Sequence, residues 1–155
     1  MAGDLPAATP EVIAAITTIE AAYATAWDTD DADGWAGLFT ADGVFEFAPV
    51  GTRPARSFRG HGELAKFCRD VNAVYRGLHL MHVPDITLDG DRAHARLHFT
   101  WTASAVRGGG HVERREVNGF YHVDYHHTAD GWRITRRVEH AVTDTVTEFF
   151  GGSLT

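Results

Sequence analysis

The sequence predicts an α+β fold, and three observations predict it. Apolar residues recur at three- and four-residue steps through the first half of the chain. From Leu78 onward the pattern changes to two-residue alternation. Turns at Asp89-Gly90-Asp91, Gly108-Gly109-Gly110 and Ala129-Asp130-Gly131 cut that second half into pieces of strand length. Helices first and an antiparallel meander afterwards is the order of an α+β domain. At 155 residues the chain is one domain by size.

Residues 1–10 are small, polar and proline-containing and read as a tail, with the domain spanning 11–148 and a second tail at 149–155. Ile13, Ile16, Ile19, Glu20, Tyr23 and Trp27 mark the first helix, with alanines filling the positions between. The acids Asp28, Asp30, Asp31 and Asp33 end it and can cap the next. Trp35, Leu38 and Phe39 make a short second helix, and Val44 to Phe47 a first strand. Residues 49–62 carry Gly, Pro and Arg without period and read as a loop. A third helix follows with Leu64, Phe67, Cys68, Val71, Val74 and Tyr75 on one face, ending at Gly77. The strand from Leu78 to Leu88 is interrupted by Pro84. Ala93, Ala95, Leu97, Phe99 and Trp101 then alternate with His94, Arg96, His98 and Thr100, a two-faced strand. Strands from His111 to His127 and from Trp132 to about Thr147 complete the meander.

Composition bounds the function. The net charge of −7 opposes a nucleic-acid partner, which needs a basic face. No apolar run reaches the roughly 18 residues a membrane span requires, and the N-terminus lacks the basic and apolar regions of a signal peptide, so a cytoplasmic protein is expected. The single cysteine, Cys68, excludes an intrachain disulfide and sits in an apolar helical pattern, as a buried inert thiol does. Ten histidines make the charge sensitive to pH between 5 and 8.

Ile19-Glu20-Ala21-Ala22-Tyr23 leading to Asp28 is followed by Trp35-Ala36-Gly37-Leu38-Phe39-Thr40-Ala41-Asp42-Gly43. Then come His82, Asp89-Gly90-Asp91-Arg92-Ala93, Gly119-Phe120-Tyr121 and Asp130-Gly131-Trp132-Arg133-Ile134. In this order the pieces resemble the SnoaL-like branch of the nuclear transport factor 2-like superfamily, over roughly residues 11–140. The resemblance implies a cone-shaped α+β barrel, three N-terminal helices packed in a strongly curved, mostly antiparallel sheet around an apolar pocket. It also implies a homodimer or homotrimer. The site is most similar to the lyases of the group, scytalone dehydratase, bile-acid dehydratase and hexachlorocyclohexane dehydrochlorinase. These place a helix-end carboxylate and a strand histidine toward the pocket, positions that correspond here to Asp28 and His82. Tyr23, five residues before the acid, corresponds to a polar pocket position, and Arg137 to another. Two departures matter. The segment Thr100-Trp101-Thr102-Ala103-Ser104-Ala105 lacks the further aspartate of the bile-acid enzyme. Ala48 stands before Pro49-Val50-Gly51, where ketosteroid isomerases carry their catalytic aspartate.

A carboxylate accepting from one imidazole nitrogen fixes the tautomer and makes the other nitrogen a better base. Asp28 and His82 are therefore expected to form a proton-abstracting dyad, with Tyr23 polarising the substrate. Asp28 directly follows the apolar stripe residue Trp27, which favours the pocket, although a capping role for the second helix explains an aspartate there equally simply. Tyr23 is either core or a hydrogen-bond donor to substrate. Tyr121, Arg137, Trp27, Phe47 and Trp101 are the candidate substrate-binding residues, and His140 is an alternative base. His79, three residues from His82, points to the other side of the same strand, and with no second ligand pair no metal is expected. The expected activity is a cofactor-independent lyase, dehydration first, on a hydrophobic polyketide-, terpenoid- or steroid-like molecule. Its rivals are a non-catalytic binding protein, the small subunit of a ring-hydroxylating dioxygenase, or a cyclase or isomerase. Epoxide hydrolysis ranks low because the last strand offers Arg136 and Arg137 but no evident second pocket acid.

Overall fold

The computed structural model describes residues 7–150; the expected tails fall partly outside it, at residues 1–6 and 151–155. Helix α1 runs Pro10–Asp28, α2 Ala32–Gly37 and α3 Gly60–Asn72. Strands are β1 Phe39–Phe47, β2 Arg56–Arg59, β3 Arg76–Met81, β4 Asp85–Asp89, β5 Arg92–Val106, β6 His111–Thr128 and β7 Gly131–Phe150. Thr9 caps α1 by accepting from the Val12 amide, with Pro10 in the first turn, where its missing N–H is not needed. The buried side of α1 is Ile16, Glu20, Tyr23 and Trp27, one stripe that includes a charged residue. Asp31 caps α2 through the Gly34 amide at 2.9 Å, which leaves Asp28 free for another partner.

One seven-stranded sheet carries the fold, in the order β2-β1-β7-β6-β5-β3, with β4 pairing β5 as well. The end strands β2 and β3 do not meet, so the expected barrel is an open, curled sheet. It is mixed, because β1 lies parallel to β7. Three α-helices are present among the described residues, but α3 follows β1 and β2 instead of preceding all strands. Two further differences from the sequence reading bear on the site. Residues 56–59, within the expected loop, form β2 because Phe58 and its neighbours complete an antiparallel ladder with β1. The strand broken at Pro84 is two strands on one edge of β5, β3 against Phe99–Ser104 and β4 against Arg92–Arg96. Gly77 lies inside β3 and does not end α3. A Cβ there would meet the Thr102 carbonyl oxygen at 2.3 Å, so close strand approach requires glycine.

The last two strands carry two register shifts, at Asn118/Gly119 and at Asp124/Tyr125, which leave Val142 and Thr135 as extra residues in β7. Each bulge reverses which residues face inward and bends the strand around the helices. At the first, a Cβ on Gly119 would meet the His140 carbonyl oxygen at 2.1 Å. The core lies between the inner face of the sheet and the helices, with Trp35, Phe39, Phe45, Leu64, Leu97, Tyr121 and Ile134 fully enclosed.

Candidate active site

Within this core a cavity of about 270 Å³ remains open. Its walls are aromatic: Tyr23 and Trp27 from α1, Phe45 and Phe47 from β1, Phe67 from α3, Phe99 and Trp101 from β5, and Tyr121 from β6. Polar groups enter at few points: His79, Glu139, Arg53, Arg56 and Arg115. An apolar chamber with a few convergent polar groups is the usual form of a small-molecule site. Of the residues singled out from the sequence, Tyr23, Trp27, Phe47, Trp101 and Tyr121 line it. His82, Asp28, Arg137 and His140 are not among its lining residues, each for its own reason.

Asp28 finds a histidine, and it is His79. The Asp28 carboxylate accepts the His79 ring Nδ1 at 2.7 Å through Oδ1 and the His79 backbone amide at 2.9 Å through Oδ2. Both side chains are buried, 13% and 5% exposed. His82, expected to be the base, lies past the end of β3, exposed, with its ring beside His98 on the outside of the sheet. Strand parity is the cause. Gly77, His79 and Met81 point inward, and Leu78 and Leu80 point out. The two leucines are 61% and 58% exposed. Apolar residues on the outer face thus make the wrong parity look like the buried one.

An ionised carboxylate can only accept, so His79 carries its proton on Nδ1 and leaves Nε2 with a free lone pair. Burial pushes the His79 pKa below its ordinary value, against the hydrogen bond and charge of Asp28, so the ring is neutral near pH 7. Its ring meets those of Tyr23 and Trp27 edge-on, each at 5.9 Å between centroids. These contacts and the double hold by Asp28 fix the imidazole plane.

Arg137 is a wall support behind the cavity. It is fully buried and forms a two-pronged ion pair with Glu20, with NH1 and NH2 each at 2.9 Å from a carboxylate oxygen. The Tyr125 hydroxyl donates to the same carboxylate at 2.5 Å. The guanidinium is sandwiched between the rings of Tyr23 and Tyr121, 3.7 and 3.9 Å from their centroids. It therefore sets where the two phenols stand. Burial raises the pKa of both phenols, so each remains a donor at neutral pH. His140 stacks on Phe120 at 4.7 Å beside His122, on the face away from the cavity.

The residue that sequence reasoning missed is Glu139. It lines the cavity, and burial pushes its carboxyl up to about 7 against the pull of Arg53 and Arg137. The last strand thus does supply the cavity with an acid, where none was evident from the sequence. Parity counted from Arg137, already a pocket candidate, places Glu139 on the same face, whereas parity counted from Ile134 fails because the bulge at Thr135 intervenes. Among the described residues no cluster of three or more histidine, cysteine or carboxylate side chains is arranged to hold a metal. Cys68 is buried, with its thiol raised to about 11 by burial, and is not among the lining residues.

Residues 9–138 match the SnoaL-like domain family. No curated protein matches the chain. Among solved structures, a provisionally assigned aromatic ring hydroxylase from Novosphingobium aromaticivorans is 26% identical with a TM-score of 0.78, over 92% of this chain and 96% of that one. An aspartate-to-asparagine variant of Rv3472, a protein of unknown function from Mycobacterium tuberculosis, is 28% identical with a TM-score of 0.69, over 84% and 72%. At 17% identity and a TM-score of 0.75, a provisionally assigned scytalone dehydratase from N. aromaticivorans shares the fold, over 87% of each chain.

Proposed function

The chain belongs to the SnoaL-like domain family, and within it we propose a lyase that removes a proton from a hydrophobic small molecule, with His79 as general base. The observation that carries this reading is the buried Asp28–His79 pair on the wall of an aromatic cavity. His79 Nε2 takes a proton from carbon, and Asp28 stabilises the imidazolium that forms. The Tyr23 hydroxyl donates to a substrate carbonyl and stabilises the developing enolate. In a dehydration the C–O bond then breaks, and the leaving hydroxyl takes the Glu139 proton and departs as water. The electron pair from the broken C–H bond becomes the new double bond. Proton return from His79 to Glu139 through solvent resets the site. The two titrating groups are pushed in opposite directions, His79 down and Glu139 up, which suits a neutral base and a protonated acid in one chamber.

The test is proton exchange in D₂O. Cyclic β-hydroxyketones and their deoxy analogues are incubated with the protein, and deuterium at the α-carbon is followed by NMR, alongside ultraviolet absorbance of conjugated enone. Exchange and elimination that vanish in His79→Ala and persist in His82→Ala are expected. Full activity in a folded His79→Ala variant would falsify the reading.

The 26% identity to the provisionally assigned ring hydroxylase favours a second reading, a small subunit in aromatic ring hydroxylation. Stable co-purification with a large redox subunit, and no proton exchange by the isolated chain, would replace the lyase with that role.

A further inference from the structure

The chain carries an excess of acids, 21 against 14 basic residues, yet the cavity reverses the balance. Its lining contains Arg53, Arg56 and Arg115 and one carboxyl group, Glu139, which is held partly protonated near neutrality. The arginines are unequally satisfied. Arg115 makes two bonds to the Asp144 carboxylate, at 2.9 and 2.6 Å. Arg53 shares that carboxylate through NH1 at 2.9 Å, while its buried Nε finds no acceptor. Arg56 has its guanidinium 5.2 Å from the centre of the Phe58 ring, and among the described residues it makes no side-chain hydrogen bond or ion pair. One carboxylate, Asp144, is thus divided between two arginines, and a third arginine has no acid partner among the described residues.

Position gives this surplus a meaning. Pro54 and Arg56 are exposed and Arg53 and Val71 half-buried, whereas Tyr23, Trp27, Phe45, Phe99, Val117 and Tyr121 are buried. The opening therefore lies beside residues 53–56 and α3, with cations at the rim and aromatic rings and His79 deeper in. A ligand that matches this gradient is apolar at one end and anionic at the other. Planar guanidinium groups pair best with planar carboxylates, in two-pronged fashion.

Resting on the cavity being the substrate site, we propose that the substrate is an aromatic or alicyclic carboxylic acid. Its carboxylate is held at the rim by Arg56 and Arg53, and its ring lies against Trp27, Phe67 and Trp101. Arg56 thereby selects the substrate and sets which carbon of the ring reaches His79.

Equilibrium binding tests this without turnover. 2-Naphthoate and the neutral, nearly isosteric 2-naphthamide are titrated against the whole chain by calorimetry and by quenching of tryptophan fluorescence. The acid is expected to bind about tenfold or more tightly than the amide, the range of a hydrogen bond to a charged group. Arg56→Gln is expected to bring the ratio close to one, and Arg56→Lys to keep part of it. Equal binding of acid and amide, binding of neither, or a preference that survives Arg56→Gln together with Arg53→Gln would overturn the proposal. The outcome is separable from the lyase reading. Should His79→Ala leave proton exchange intact while the acid preference still depends on Arg56, the chemistry fails and the ligand class stands. The reverse pattern leaves the chemistry and removes the ligand class.

Discussion

Helix α1 makes two buried acid–base contacts eight residues apart, an ion pair and a hydrogen-bonded pair with a neutral imidazole, and they end in opposite uses. Glu20 meets Arg137 and Asp28 meets His79, in each case an acid of the helix reaching a basic residue of the sheet. Around Glu20 both carboxylate oxygens are taken by the guanidinium, a phenol adds a third bond, and two tyrosine rings cover the faces. Around Asp28 the carboxylate is equally satisfied, but the histidine has a second nitrogen, and its ring lines the cavity. Burial alone therefore does not mark a reactive group. A pair whose unspent group is a buried donor, Arg137 Nε, supports the wall, and a pair whose unspent group is a basic nitrogen on the cavity can do chemistry. Arginine, always protonated, suits the first task; imidazole, neutral and able to take a proton, suits the second.

Breaking the contrast at its strongest point means replacing Arg137. Arg137→Met leaves the Glu20 carboxylate buried without its partner and removes the plate between Tyr23 and Tyr121. A loss of about 3–5 kcal/mol in unfolding free energy is expected, measured by urea denaturation. His79→Ala should cost less stability, because the backbone amide of residue 79 still donates to Asp28, and about 10²- to 10⁴-fold in the proton-exchange rate. A variant pair in which these effects are exchanged would show that the two roles are assigned the wrong way round.

The next effect in size concerns pH. Glu139 titrates at about 7 when folded and near 4.5 when unfolded, so the folded state holds its proton between those values. Stability from that proton is fully present below about 4.5 and is lost as pH rises through about 7. Relative to Glu139→Gln, the natural protein should lose on the order of 2–3 kcal/mol between pH 4.5 and 8. Thermal melts of both proteins across that range measure it. In the same window the elimination rate should follow a bell. Its acid limb reflects His79, shifted below its ordinary value, and its alkaline limb reflects Glu139. Glu139→Gln should remove the alkaline limb of elimination, and a limb that survives would take the acid role from Glu139.

The smallest effect sharpens the comparison most directly. His82→Ala should change stability by no more than about 0.5 kcal/mol and leave exchange untouched, because the side chain is exposed. Deuterium exchange and denaturation on the same sample suffice to check it.

Much of this molecule follows from local pattern. The α1 stripe, the Asp89-Gly90-Asp91 and Ala129-Asp130-Gly131 turns and the alternation in β5 are properties of neighbouring residues, and they place Tyr23, Trp27, Trp101 and Asp28 near their observed positions. Failures cluster where the partner strand decides. Residues 56–59 have no strand pattern of their own and become β2 through the ladder with β1. The resemblance points to His82 and puts His79 on the opposite side of the strand, and in β3 it is that opposite side, with His79, that faces inward.

The sequence by itself determined the α+β order of elements and the aromatic stock of the core. Spacing and composition act within a few residues, and these features need nothing more. Tertiary structure alone decided which histidine Asp28 meets, that Arg137 closes on Glu20 behind the cavity, and that Glu139 faces into it. Those outcomes depend on the facing of β3 and on bulges in β7 at Thr135 and Val142. A one-residue shift in a strand turns every following side chain to the other face, and that shift is set by the neighbouring strand rather than by the chain that carries it.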